Sequence, residues 1–138
     1  MLKPLLAQLS LSAFVLCYGC SQKVGDFTYT CSKGGLLDSY CEAKLAGPYV
    51  LASIDGGSPE LFFQFEGGGG ASPIQGKYAN AELILFGINE EYAVAVLAAD
   101  IVFLADRAER SWEMDGPYSL ADAKRLLGEN WPDMKQVQ

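Results

Sequence analysis

Three different spacings of polar and apolar residues follow one another along this chain. Residues 5–18 are uncharged and mostly apolar, directly after a short positive start at Met1-Leu2-Lys3. From residue 27 onward, short runs rich in β-forming residues are separated by glycine, proline and acidic residues. The last twenty or so residues switch to helical spacing and then to a polar tail.

Residues 27–31 alternate and read as a strand. Residues 36–46 have helical spacing and stop at Gly47-Pro48, which predicts a helix or an irregular loop held by neighbouring cysteines. Residues 49–54 and 61–65 read as strands, closed by the turn at 55–59 and by the run of glycines at 67–70. Short strands joined by glycine-rich turns are the mark of a β-meander. A loop over 71–78, a strand over 82–86 and a turn over 87–91 follow. Tyr92, Val94 and Val96 then alternate with Ala93 and Ala95, placing large side chains on one face and small ones on the other. Such a strand suits a small barrel or a sheet packed tightly on one side.

Residues 90–110 admit two readings, because periodicity does not separate strand from buried helix in a continuous apolar run. The β-branched Val94, Val96, Ile101 and Val102 favour strands, with a turn at 98–100 and strands at 101–105 and 111–114. Ser119-Leu120-Ala121-Asp122 resembles a capping box, and residues 121–127 keep helical spacing up to Gly128. The fold expected is mainly β, a small antiparallel β-barrel or β-sandwich of meander type, with a C-terminal α-helix at about 119–128.

The N-terminal run has the layout of a secretory signal: positive start, apolar stretch, small residue before a cut. It is shorter than the roughly 20 apolar residues a membrane span needs. Its close on Gly19-Cys20-Ser21 is that of a bacterial lipoprotein signal, in which the cysteine becomes the lipidated first residue. The positions two and three before Cys20 hold Tyr18 and Cys17, with Leu16 one step early, so ordinary cleavage after Gly19 is the alternative. The expected organisation is a signal peptide at 1–19, a lipid-anchored tether at 20–26 and one globular domain at 27–138. Ser21 is not the Asp associated with inner-membrane retention in enteric bacteria. The expected location is therefore the outer membrane, facing the periplasm, with a soluble periplasmic or secreted protein as the alternative.

Of the four cysteines, Cys17 leaves with the signal. Lipidation of Cys20 leaves Cys31 and Cys41, which an oxidising compartment would join as a disulfide. Two buried free thiols are the alternative.

Net charge is −7, and Lys3 is the sole charge in residues 1–19, so the remainder carries −8. Such a surface repels nucleic acid and anionic lipid and attracts cationic partners. The chain has no histidine, which excludes Ser-His triads, Cys-His nucleophiles and His-ligated zinc. No motif singles out a pair of carboxylates for acid–base work. The glycine run lacks the Lys-Ser/Thr of a phosphate-binding loop. A non-enzymatic protein without metal or cofactor is expected.

Residues 72–94 resemble the core of the membrane-bound inhibitors of C-type lysozyme. These are small periplasmic lipoproteins with an eight-stranded antiparallel barrel and a loop bearing a Ser-Gly-x-x-Tyr signature. Tyr78 matches the signature tyrosine, Phe86 the strand-end aromatic, and residues 87–91 the following turn. Residues 27–31 are similar to the family's first strand, which carries its first cysteine. Ile74 and Gln75 stand at the signature Ser and Gly, Ile88 stands at the turn Lys, and the family's closing cysteine is absent. The resemblance implies a partner-binding surface at Ser72, Gly76, Lys77 and Tyr78, with Asn89, Glu90 and Glu91 beside it. The departures imply a target other than C-type lysozyme. The function expected is an exported lipoprotein that binds a cationic protein, inhibiting a lysozyme-like hydrolase or toxin by loop insertion. The alternative is a structural or accessory envelope lipoprotein or toxin-immunity protein, docking through the Trp112–Trp131 region and the helix. Contact with the membrane would be through the lipid anchor alone.

Overall fold

Alternation in the first half of the chain builds one sheet, and the apolar runs of the second half build another. The structure, a computed structural model, describes residues 21–34 and 38–138. The signal peptide, Cys20 and residues 36–37 of the expected helix lie outside these residues.

The first sheet is a six-stranded antiparallel meander in sequence order. Its strands are β1 (Ser21–Val24), β2 (Phe27–Gly34), β3 (Asp38–Lys44), β4 (Tyr49–Ile54), β5 (Glu60–Gln64) and β6 (Gly70–Ala71). The second sheet holds β7 (Leu83–Ile88), β8 (Tyr92–Leu97), β9 (Ile101–Asp106), β10 (Asp115–Ser119) and β11 (Met134–Gln136). Its order is β10-β9-β8-β7-β11, every pair antiparallel. Neither sheet closes on itself, so the sandwich alternative is the one that forms; the barrel, which the resemblance also implied, does not.

Between the sheets lies the main core. Phe27, Tyr29, Cys31, Cys41, Tyr49 and Leu51 from the first sheet meet Phe86, Ala93, Ala95, Leu97 and Phe103 from the second. The opposite face of the second sheet presents Val94, Val96, Val102 and Leu104 to Ala123 and Leu127 of the helix α1 (Leu120–Leu127). The alternation of alanine and valine along β8 is thus a division between two cores. Alanines let the facing sheet approach closely, and the larger residues fill the space under the helix. Burial on both faces accounts for the apolar run at 93–105, and the segment is the pair of strands β8 and β9 rather than a buried helix.

The helix begins as expected. The Ser119 hydroxyl accepts a hydrogen bond from the Asp122 N–H at 3.1 Å, and Gly128 ends it at φ 54°. It lies across the face of the second sheet.

Several expectations are corrected. Residues 38–44, expected in a helix or irregular loop, form β3, because Cys41 and Ala43 point inward while Tyr40, Glu42 and Lys44 point outward. That period-two pattern, paired against β2 and β4, prevails over the helical spacing of the leucines. Residues 21–24, expected in the tether, form β1, paired with Phe27–Thr30 around a turn at Gly25-Asp26. Residues 111–114 are not a strand; the strand is β10, one step later. It tolerates Gly116-Pro117 because it is an edge strand with a register shift.

The two sheets are clasped at one corner by the turn after β1 and by β11. The Asp26 N–H donates to the Gln136 carbonyl at 2.8 Å, and the Asp26 carboxylate accepts from the Gln136 N–H at 2.7 Å. Gly25 is required there: at φ 58° a Cβ would meet the Gln136 carbonyl at 2.5 Å.

Cys31 and Cys41 form the disulfide expected, lying directly opposite one another on β2 and β3. Replacing both with serine should lower unfolding free energy by about 2–3 kcal/mol, because the bridge removes loop entropy from the unfolded chain. Urea denaturation monitored by tryptophan fluorescence checks this. Burial also raises the Tyr29 phenol to about 12, and burial raises Tyr40 and Tyr49 as well. A raised phenol pKa favours the neutral folded form. Its contribution is therefore complete below pH 10 and is lost as pH rises from the unfolded value of 10 towards 12. The fall in melting temperature between pH 9 and pH 11 should be smaller in Tyr29→Phe than in the native chain.

Candidate interaction site

The residues singled out by sequence divide between two ends of the second sheet. Ser72 belongs to the crossover from β6 to β7, and with Ile74 and Ala81 it lies beside Leu83 and Leu97. Ser72 closes its own turn: its hydroxyl donates to the Ile74 carbonyl at 3.0 Å. Gly76, Lys77 and Tyr78 form a single 3-10 turn in the same crossover. Tyr78 packs on the main core, its ring 5.8 Å from that of Phe103. The Lys77 ammonium lies 5.1 Å from the Tyr78 ring centre.

Asn89, Glu90 and Glu91 make the turn at the other end of β7. A strand of this length spans roughly 17–20 Å. The two groups are therefore not assembled into one loop surface. Asn89 is a structural hub of its turn. Its side-chain oxygen accepts from the N–H groups of Glu91 at 2.9 Å and Tyr92 at 2.7 Å, and its amide donates to the Asn130 carbonyl at 2.8 Å. Its carbonyl accepts from the Arg107 guanidinium. Glu90 and Glu91 remain exposed beside it.

At this end a cleft of about 650 Å³ lies between the ends of β4 and β5 and the loop after β9. One wall comes from the first sheet: Pro48, Tyr49, Phe63 and Phe65. The rings form a chain, with Tyr49 to Phe63 at 5.5 Å, Phe63 to Phe65 at 5.7 Å and Phe65 to Trp112 at 6.0 Å. The other wall is the loop after β9, with Asp106, Arg107, Glu109 and Arg110, and Glu66 stands at the lip. The turn at 89–91 is joined to this loop, since the Arg107 N–H donates to the Glu91 carbonyl at 2.8 Å.

Arg107 holds the cleft's shape. Its guanidinium bridges towards Gly47, where a Cβ would stand 2.9 Å from Nη2, so the turn at Gly47 leaves it room. Burial raises the Tyr49 phenol pKa, and the positive charge of Arg107 partly offsets that rise. Among the described residues, the one ion pair is Arg125–Asp122 on the helix surface, so Arg107 and Arg110 are paired with no described carboxylate. Among the described residues no three Cys, Asp or Glu side chains converge as a metal site.

Sequence reasoning singled out Asn89, Glu90 and Glu91, which lie outside the lining of this cleft, and did not single out the aromatic wall or Arg107. The signal for the wall was present: Phe62, Phe63 and Phe65 leave an aromatic on both faces of β5 and one beyond its end. Trp112 packs edge-on against Phe65 of this cleft, whereas Trp131 packs under the helix, where the Lys124 ammonium lies 5.8 Å from its ring centre. The two tryptophans thus belong to different layers.

Comparison of the chain with protein-family models, curated proteins and solved structures finds no match in any of the three.

Asn89→Ala removes three hydrogen bonds from a half-buried turn and should cost about 2 kcal/mol of stability. Glu90→Ala, exposed and unbonded through its side chain, should cost less than about 0.5 kcal/mol. Thermal melts of the two variants give the comparison.

Proposed function

We propose that this chain is an exported binding protein of the bacterial cell envelope, and that it captures a cationic protein target at the aromatic cleft. The observation that carries the reading is the composition of that cleft. Aromatic side chains with few rotatable bonds line one wall, Glu66, Asp106 and Glu109 stand with Arg107 and Arg110 around the cleft, and the turn carrying the exposed Glu90 and Glu91 is joined to its far wall. Buried aromatic anchors within a charged rim are the usual anatomy of an energetic protein interface. The net charge of −7 directs the choice of partner towards cations. The target we favour is a basic cell-wall hydrolase or a basic toxin, neutralised by occupation of the cleft.

Three features support export. The N-terminal run has the layout of a signal, Cys20 follows it at the position of a lipid anchor, and Cys31 and Cys41 are joined. We place the protein at the outer membrane facing the periplasm, held by an acyl chain on Cys20. The likeness to the lysozyme-inhibitor family enters as kinship of task, acidic capture of a basic enzyme, and the cleft takes over the part assigned there to the signature loop.

The test is binding kinetics against a panel of basic cell-wall hydrolases. Glu90→Lys combined with Glu91→Lys should slow association roughly tenfold at low salt and flatten its salt dependence. Phe65→Ala should instead speed dissociation, because it removes an anchor from the cleft wall. If no panel member binds, the accessory-protein reading takes its place.

A further inference from the structure

The first sheet leaves almost no chain between its first strand and the position of the anchor. β1 begins at Ser21, which pairs with Thr30 of β2, so Cys20 stands one residue before a hydrogen-bonded strand. A flexible linker of several residues would let a domain take any angle beside a membrane. Here the anchor position adjoins the sheet itself, and an acyl group there would hold β1 close to the lipid surface.

Strand register then places the cleft. Ser21, Thr30, Glu42, Ala52 and Glu60 form one row across β1 to β5. Phe63, in the cleft wall, lies three residues beyond Glu60 on β5. Four strand spacings and three residue rises thus separate it from Ser21, roughly 20 Å in all.

Charge is divided in the same sense. The outward positions of β1 and β2 include Ser21, Lys23, Thr28, Thr30 and Ser32, all exposed and none acidic. Asp26, in the turn between the two strands, is held by the Gln136 N–H. Lys23 is in no described ion pair. The first outward carboxylate along the row is Glu42, on β3. Others stand far off: Glu66, Asp106 and Glu109 at the cleft, and Glu90 and Glu91 on the turn joined to it. A phospholipid surface with anionic headgroups attracts lysine and repels carboxylate. The charge of −7 opposes adsorption at random, whereas a seat on β1 and β2 offers lysine and hydroxyl groups and keeps the acidic cleft back. Contact is at the level of the headgroups, because β1 is an edge strand whose free backbone groups hydrocarbon would leave unsatisfied.

We propose that β1 and the adjoining outward face of β2 are a lipid-contacting surface, seated on phospholipid headgroups by an acyl group on Cys20, with the cleft turned away from the membrane. The inference rests on the reading above that Cys20 carries the anchor. It adds to that reading a surface and an orientation, in which the cleft opens towards a soluble target.

The probe is the native lipoprotein, isotope-labelled and held in nanodiscs of phosphatidylethanolamine and phosphatidylglycerol with spin-labelled headgroups. The spin label should attenuate the amide signals of Lys23, Thr28, Thr30 and Ser32, and should spare those of Phe63, Phe65, Arg107 and Arg110. Lys23→Glu alters an exposed side chain, so the melting temperature should hold while attenuation at Thr28 and Thr30 falls. Attenuated cleft signals, equal attenuation over the whole domain, or a pattern undiminished by Lys23→Glu overturns the inference. The mass of the purified chain reads the anchor independently. If it shows no acyl group, Cys20 is coupled through its thiol to a maleimide phospholipid in the same discs, with Cys31 and Cys41 still joined. The same pattern is then read, so failure of the lipidation reading is separable from failure of this one.

Discussion

The architecture depends on burial of both faces of the second sheet. β8 and β9 cannot be half-solvated strands, because they carry no polar side chain between Ala93 and Leu97 or between Val102 and Ala105. They must be covered twice, once by the first sheet and once by the helix. The small–large alternation along β8 sets how closely each cover approaches. Alanines admit the broad facing sheet, with Phe86 and Phe103 filling the space between, while valines and Leu104 meet Ala123 and Leu127. Substituting a large residue at Ala93 or Ala95 would push the sheets apart, a kind of overpacking that typically costs 1–3 kcal/mol.

The cleft follows from the same arrangement. The cleft lies at the strand ends beside the core residue Tyr49, between the ends of β4 and β5 and the loop after β9. Arg107 spans the gap between the Gly47 turn and the Asn89 turn, joining elements from both halves of the chain. The site is thus a product of tertiary closure, and no single loop contains it.

That origin explains what could be read in the sequence. Most strands, the helix and its serine cap, and the cysteine pair were legible, because each depends on local spacing or on the number and placement of the cysteines. β3 was not, since the alternation of Cys41 and Ala43 with Glu42 and Lys44 competes with equally good helical spacing, and pairing on both sides decides the matter. β1 and β11 are short and polar; β1 becomes a strand through its hairpin with β2, and β11 through pairing with the distant β7. Among the residues expected to bind a partner, Asn89, Glu90 and Glu91 were legible as a turn, which the Asn89 side chain closes. Tyr78 was singled out by likeness to a motif, but its ring packs on Phe103, and local sequence carries no sign of that burial.

The order of strands also bears on how the chain reaches this state. Eight of the nine described ladders join strands adjacent in sequence, and β7 with β11 is the exception. Each sheet is drawn from one contiguous half of the chain, which keeps most contacts local and the entropy of loop closure small. The first sheet can form its meander before the second exists, yet its apolar inner face then has no cover. For a chain that emerges N-terminus first, the vulnerable interval lasts until β7 to β9 arrive. The closing event is the pairing of β11, whose three residues lock the far edge and clasp the first hairpin.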